Sequence, residues 1–197
     1  SSKGTDFPLH DVNEQAGTWL EATADNSQHF SYLAQQFAMQ LRAAHPNVPI
    51  GIIQTAWGGT PIRRHVQGGD IYANHIAPLE GFHVAGVLWY QGCNDSTNEA
   101  TALAYESQMT LLINQYREVF DQDDLPFLYV QLARWPGYQY TQNVRFAQLN
   151  TLSNAGLRNA SNVAMTVSLD TDKGTSTLIH PLGKDILGAR MAAQYLA

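Results

Sequence analysis

Apolar residues return along this chain with two periods. Phe30, Leu33, Ala34, Phe37, Ala38 and Leu41 fall at the three-and-four spacing of one helix face. Asn26 or Ser31 can cap that helix, and Pro46 bars its continuation. Tyr105, Met109, Leu112, Ile113, Tyr116 and Phe120 repeat the spacing over a longer helix, closed by Asp121-Gln122-Asp123-Asp124. A third helix is expected near 142–157 and a last one from about 182 to the C-terminus. Between the helices lie short apolar runs at 48–53, 84–90, 127–132 and 163–169, read as buried strands. Apolar strands separated by helices predict an α/β fold with a parallel sheet covered on both faces.

In such sheets ligands bind beyond the carboxyl ends of the strands. That rule selects four loops, 55–65, 91–98, 134–141 and 170–180. They contain Trp57-Gly58-Gly59-Thr60, Gln91-Gly92-Cys93-Asn94-Asp95, Trp135-Pro136-Gly137-Tyr138 and Ile179-His180-Pro181. Four loops of unusual composition on one sheet edge make that edge the candidate site.

Composition narrows the class of function. The 197 residues (21.8 kDa) suit a single domain, 1–197, with no internal repeat or linker. Seven Phe, four Trp and nine Tyr exclude a disordered chain. A net charge of −6 and a pI near 5.5, with no basic cluster, argue against nucleic acid as a partner. No apolar run is long enough to span a membrane. The single cysteine, Cys93, excludes an internal disulfide, and the seven histidines show no ligand spacing on one helix face, so neither metal nor cofactor is implied. The chain opens at Ser1 without Met, which leaves room for a segment upstream.

Each loop admits a chemical and a purely structural reading. Gly58-Gly59 is a tight turn, or a place where backbone amides approach a ligand and hold an oxyanion. Gln91 and Asn94 can donate side-chain hydrogen bonds to a substrate, while Asn94, Asp95 or Ser96 can instead cap the following helix. Cys93 is either buried packing or a thiol nucleophile with no basic neighbour in sequence to activate it. His180, between an apolar residue and a proline, is a structural histidine or a general base, with Asp170 or Asp172 as orienting acids. Arg63, within Arg63-Arg64-His65, is a solvated charge or an anchor for an anionic group. Trp135, with Tyr138 and Tyr140, can stack on a sugar ring or simply rim the core.

Taken in order, these segments resemble the sialate O-acetylesterases and related carbohydrate acetylesterases of the SGNH (GDSL-like) hydrolase superfamily. The resemblance is carried by residues 48–53 followed by Trp57-Gly58-Gly59-Thr60, by Ile71-Tyr72-Ala73-Asn74-His75-Ile76-Ala77-Pro78-Leu79, and by Gly86-Val87-Leu88-Trp89-Tyr90-Gln91-Gly92. Residues 125–132, Arg145 to Gln148, and Ile179-His180-Pro181 with Lys184 and Arg190 complete it, so that it covers about residues 18–195. It implies a flavodoxin-like three-layer α/β/α sandwich and a serine–histidine acetylesterase acting on O-acetylated carbohydrates, sialic acids among them. A secreted or periplasmic location is the expectation that goes with it. Carried over position by position, His180 matches the base, Gly58 or Gly59 the backbone oxyanion donor, and Gln91 the side-chain donor, with Asn94 the alternative. Trp57, Asn94, Arg63 and Trp135 are the expected substrate-binding residues.

Three positions depart from the family pattern. No opening Gly-x-Ser block is present, and none of the ten serines directly follows an expected buried strand. Cys93 stands where members often carry glutamate, and Thr177 where others carry the aspartate that orients the histidine. The nucleophile strand is therefore expected from another polypeptide, either a cleaved N-terminal segment or a partner chain. The alternative is a catalytically inactive, carbohydrate-binding or scaffolding relative.

Overall fold

The computed structural model describes residues 19–25, 27, 30–173 and 179–197. Its ordered elements are helix α1 (Tyr32–Ala44), strand β1 (Val87–Trp89), helix α2 (Glu99–Val119), strand β2 (Phe127–Gln131), helix α3 (Thr141–Thr151), strand β3 (Val163–Val167) and helix α4 (Lys184–Leu196). The strands form one parallel sheet in the order β1-β2-β3, with Val87 opposite Phe127 and Phe127 opposite Val163. Among the described residues no helix is long and apolar enough to cross a membrane.

Alternation along the strands sends side chains to two layers. Trp89, Phe127, Tyr129 and Val163 join the buried stripe of α2 (Tyr105, Met109, Leu112, Ile113, Tyr116) and Val144 of α3 in one core. Leu128 and Val130 face the other way and meet Leu33 of α1 with Leu187 and Met191 of α4. The expected α/β/α layering is thus present. Helix α2 starts where the Asn98 side chain accepts from the amides of Ala100 and Thr101. On the opposite face α1 and α4 come very close at Gly188, where an added Cβ would lie 2.6 Å from Gln36 Cβ.

The strand expected at 48–53 does not form. That stretch has no ladder partner among the described residues, and Val48 and Ile53 are exposed. A strand exists only through its neighbour, and the outer edge of β1 is also unpaired among the described residues. Val87 N donates to Pro126 O, so alternation turns the amide and carbonyl of Leu88 away from β2, toward that open edge. Helix α1 shows the same incompleteness. Of its six-residue apolar stripe only Leu33 is buried, while Phe37 gains an edge contact with Tyr195 at 5.7 Å.

Candidate active site

The loops at the carboxyl edge are joined by buried polar contacts. After β1 the chain turns at Gly92 (φ +128°), where a Cβ would lie 3.0 Å from Val144 Cγ1 and 3.2 Å from the Tyr105 hydroxyl. Only glycine fits there without displacing core atoms. The turn delivers Gln91, Asn94 and Asp95 to the segment that follows the unpaired 48–57 stretch. Gln91 Nε2 donates to Thr60 O (2.9 Å) and Asp95 Oδ2 (2.6 Å), and its Oε1 accepts from the Tyr105 hydroxyl (3.0 Å). The Asp95 carboxylate is buried and also accepts from Ile62 N, at 3.0 and 3.3 Å. Burial raises the Asp95 pKa, against the hydrogen bonds from Gln91 and Ile62 that lower it.

These bonds shape the glycine turn. Thr60 Oγ1 donates to Trp57 O (2.7 Å), so it accepts from His65 Nε2, 2.8 Å away. His65 is therefore the Nε2–H tautomer. Burial pulls its pKa down to about 4, and its ring meets Trp89 edge-on at 5.2 Å. Between Trp57 and Thr60, Gly59 takes φ +70°, and both Gly58 and Gly59 are exposed. Their amides carry no hydrogen bond among the described residues. Asn94 Nδ2 donates to Gly59 O (3.0 Å), and its second amide proton has no acceptor among the described residues.

The third loop leaves β2 under the control of α3. Gln148 Oε1 accepts from Leu132 N (2.9 Å), its Nε2 donates to Val130 O and Gln91 O (3.3 Å each), and Arg145 donates to Leu132 O. Trp135 then lies over Gly137, where a Cβ would fall 2.4 Å from its indole nitrogen, and meets Tyr138 edge-on at 6.4 Å. With Cys93, Ser96, Ala133 and Ile179 these two rings come together in a closely packed, mostly apolar contact with no cavity of its own. Ile179 brings the fourth loop to the same place, and His180, exposed, follows it. Partial burial lowers the His180 pKa, with the Lys184 ammonium adding to the effect. Lys184 Nζ donates to Pro181 O at 2.7 Å and lies 4.9 Å from the centre of the Tyr90 ring.

Several expected roles change with this geometry. Both amide protons of Gln91 are committed to internal acceptors, so its side chain joins two loops and has none left for a substrate oxyanion. Asp170 gives both carboxylate oxygens to Arg190 (2.8 and 2.6 Å), which holds its pKa at about 2 and ties it to α4 rather than to His180. Asp172 pairs with Arg134 at 3.5 Å. Thr177 lies outside the described residues. Burial pushes the Cys93 thiol up to about 11, which leaves little thiolate for nucleophilic attack at neutral pH. Helix α2 is capped by Asn98, not by Asn94, Asp95 or Ser96. Strand β3 ends at Val167, so Ser168 does follow a strand, but it is buried and its hydroxyl donates to Gln131 O (2.7 Å). Arg63 is exposed on the short turn Ile62–Arg64, whereas Arg64 is paired with Asp70. Trp57 is half-buried, edge-on to His75 at 6.2 Å.

Sequence reasoning missed Thr60, His65, Asp95, Tyr105 and Gln148 as site builders. Gln148 carried one signal: it is polar, yet sits with Val144, Ala147 and Thr151 on the buried face of α3.

Comparison with known proteins shows the family of this chain. A family model described as carbohydrate esterase, sialic acid-specific acetylesterase, matches residues 11–197. A protein of Arabidopsis thaliana named as a probable carbohydrate esterase is 32% identical over 117 residues, which cover 57% of this chain and 44% of that protein. Human sialate O-acetylesterase is 28% identical over 151 residues, covering 58% of this chain and 28% of the human one. Among solved structures, a carbohydrate acetylesterase of Xanthomonas citri superposes with a TM-score of 0.77 at 31% identity, over 95% of this chain and 46% of that one. An Arabidopsis thaliana protein gives a TM-score of 0.68 at 28% identity, over 81% and 66% of the two chains. The chain thus spans less than half the length of the curated relatives it matches.

Proposed function

This chain belongs to the carbohydrate esterase family of sialic acid-specific acetylesterases, and from that membership we propose that it forms the base- and oxyanion-bearing part of a carbohydrate O-acetylesterase. The substrate is an O-acetylated sugar, sialic acids among them, and the chemistry is serine–histidine acyl transfer. A serine hydroxyl attacks the acetyl carbonyl and gives its proton to the His180 imidazole. The tetrahedral oxyanion accepts from the Gly58 and Gly59 amides and from the second amide proton of Asn94, which takes the role first expected of Gln91. Collapse of the intermediate expels the sugar hydroxyl with the proton from His180. Water, deprotonated by the same imidazole, then releases acetate and regenerates the serine. Trp57, Arg63 and Trp135 are the residues assigned to the sugar.

The observation that carries this reading is the glycine turn. Gly58 and Gly59 are exposed, their amides have no acceptor among the described residues, and their turn is held by Asn94 and by the Thr60–His65 contact, on the sheet edge where His180 also lies. A turn that served only to reverse the chain has no need of that support. The nucleophile serine comes from a strand that adds to β1, on a cleaved N-terminal segment or a partner chain. Supporting this are the edge of β1 and the 48–53 stretch, neither with a ladder partner among the described residues, and the half-covered stripe of α1. One inserted strand satisfies all three.

Acetate release from an O-acetylated sialoside and from p-nitrophenyl acetate tests the reading in the complete enzyme. Replacing His180 with Ala is expected to lower kcat/KM at least ~1,000-fold, the scale on which a triad member acts. Equal rates refute the assignment. The second reading, an inactive carbohydrate-binding relative, draws on Asp170 being committed to Arg190. It predicts sugar binding with no acetate release by either form.

A further inference from the structure

Lys184 is the second observation at this edge that packing alone does not explain. It is a buried lysine in the first turn of α4, where a cation is opposed both by loss of hydration and by the helix dipole. No carboxylate pairs with it among the described residues. Its Nζ donates instead to Pro181 O at 2.7 Å and sits over the Tyr90 ring at 4.9 Å. Pro181 directly follows His180, and Tyr90 directly precedes Gln91. The ammonium therefore links the base loop to the root of the loop that holds the glycine turn.

A second anchor holds the same stretch after His180. Gly183 N donates to Thr171 O at 2.7 Å, and a Cβ at Gly183 would fall 2.5 Å from that same oxygen. Thr171 is in turn bound to Ser168 O through its amide (3.2 Å) and its hydroxyl (2.8 Å), just after β3. The backbone after His180 is thus held from β3 through Thr171 and from β1 through Lys184. We propose that Lys184 is a positioning residue, which sets the His180 imidazole against the glycine turn by binding the Pro181 carbonyl while resting on Tyr90. This inference rests on His180 being the base.

The charge has a cost that only a positional role offsets. Burial pulls the Lys184 pKa down to about 8, with the neighbouring Cys93 acting the other way, so the ammonium is close to its limit at neutral pH. The groups that face it are Cys93 and Tyr90, and its positive charge lowers the pKa of His180. Removing that charge raises the His180 pKa.

The test uses the complete enzyme, p-nitrophenyl acetate and the variants K184M and K184R, with H180A as the reference. K184M is expected to lower kcat by about 10- to 100-fold with KM within about twofold, the signature of a misplaced group. The acid limb of its pH–rate profile should move to higher pH. K184R keeps the charge and is expected to keep the acid limb and recover part of kcat. A K184M enzyme with wild-type kcat, or one that loses kcat with an unmoved acid limb and no recovery in K184R, overturns the inference. Should K184M not fold, Y90L removes the ring beneath the ammonium and is expected to lower kcat about tenfold, as loss of a cation–π contact predicts. Unchanged kcat in Y90L overturns the inference equally. If H180A keeps the wild-type rate, the reading of His180 as base fails. If H180A is inactive while K184M is not impaired, only the role of Lys184 fails.

Discussion

Replacing Asp95 with Ala removes the acceptor that holds two loops of the proposed site together. The carboxylate is 1% exposed and takes the Ile62 amide and one proton of the Gln91 amide. Without it the buried Ile62 amide and the part-buried Gln91 amide both lose their acceptor. Each unsatisfied buried group costs about 1–3 kcal/mol, so about 3–5 kcal/mol is expected, in line with breaking a buried charged contact. For a chain of this size that is a fall in Tm of roughly 10 °C. Asp95→Asn keeps the volume and one carbonyl acceptor but turns an amide toward a donor, and about half the loss is expected. Activity should fall as well, because Gln91 and Ile62 flank the turn that carries Gly58 and Gly59, and one lost oxyanion donor costs ~100-fold or more. Calorimetry and acetate release on the complete enzyme measure both. A Tm within about 2 °C of wild type together with unchanged kcat would refute the view that this carboxylate builds the site.

Two further outcomes follow from the same loops. His65 is buried in its neutral form with a pKa of about 4, so the unfolded chain binds more protons between there and 6.5. Stability should therefore fall by up to about 3 kcal/mol as pH drops from 7 to 4. His65→Gln should flatten that dependence, and parallel urea midpoints for both proteins at pH 7.5 and 4.5 would contradict it. Gly92→Ala forces a side chain into φ +128° and to within 3.0 Å of Val144 Cγ1, and a loss of about 2 kcal/mol or more is expected. A urea midpoint equal to that of wild type would show that the turn does not need glycine.

What could be read from the sequence was whatever depends on local period and composition. All six residues of the 105–120 stripe are buried, and three of the four apolar runs are strands in register. The run at 48–53 has strand composition but no partner, and pairing is not a local property. The third helix stops at Thr151, short of 157, because the chain then closes turns at Ser153 and Asn154. The four loops were visible from their position and odd composition. Their internal chemistry was not. Gln91 and Asn94 are equally good donors on paper, and only the acceptors at Thr60 and Asp95 decide which is committed. The Ile62–Asp95 contact spans 33 positions, and no spacing rule reaches that far.

The position of the nucleophile is the point that decides whether a separate strand completes this site. Labelling the complete enzyme with a fluorophosphonate, followed by peptide mapping, reports the serine that attacks. The account predicts the label on a serine of the strand that pairs with β1, and on none of the ten serines of this chain. Label on Ser96 or Ser168, with loss of acetate release in step, would contradict it.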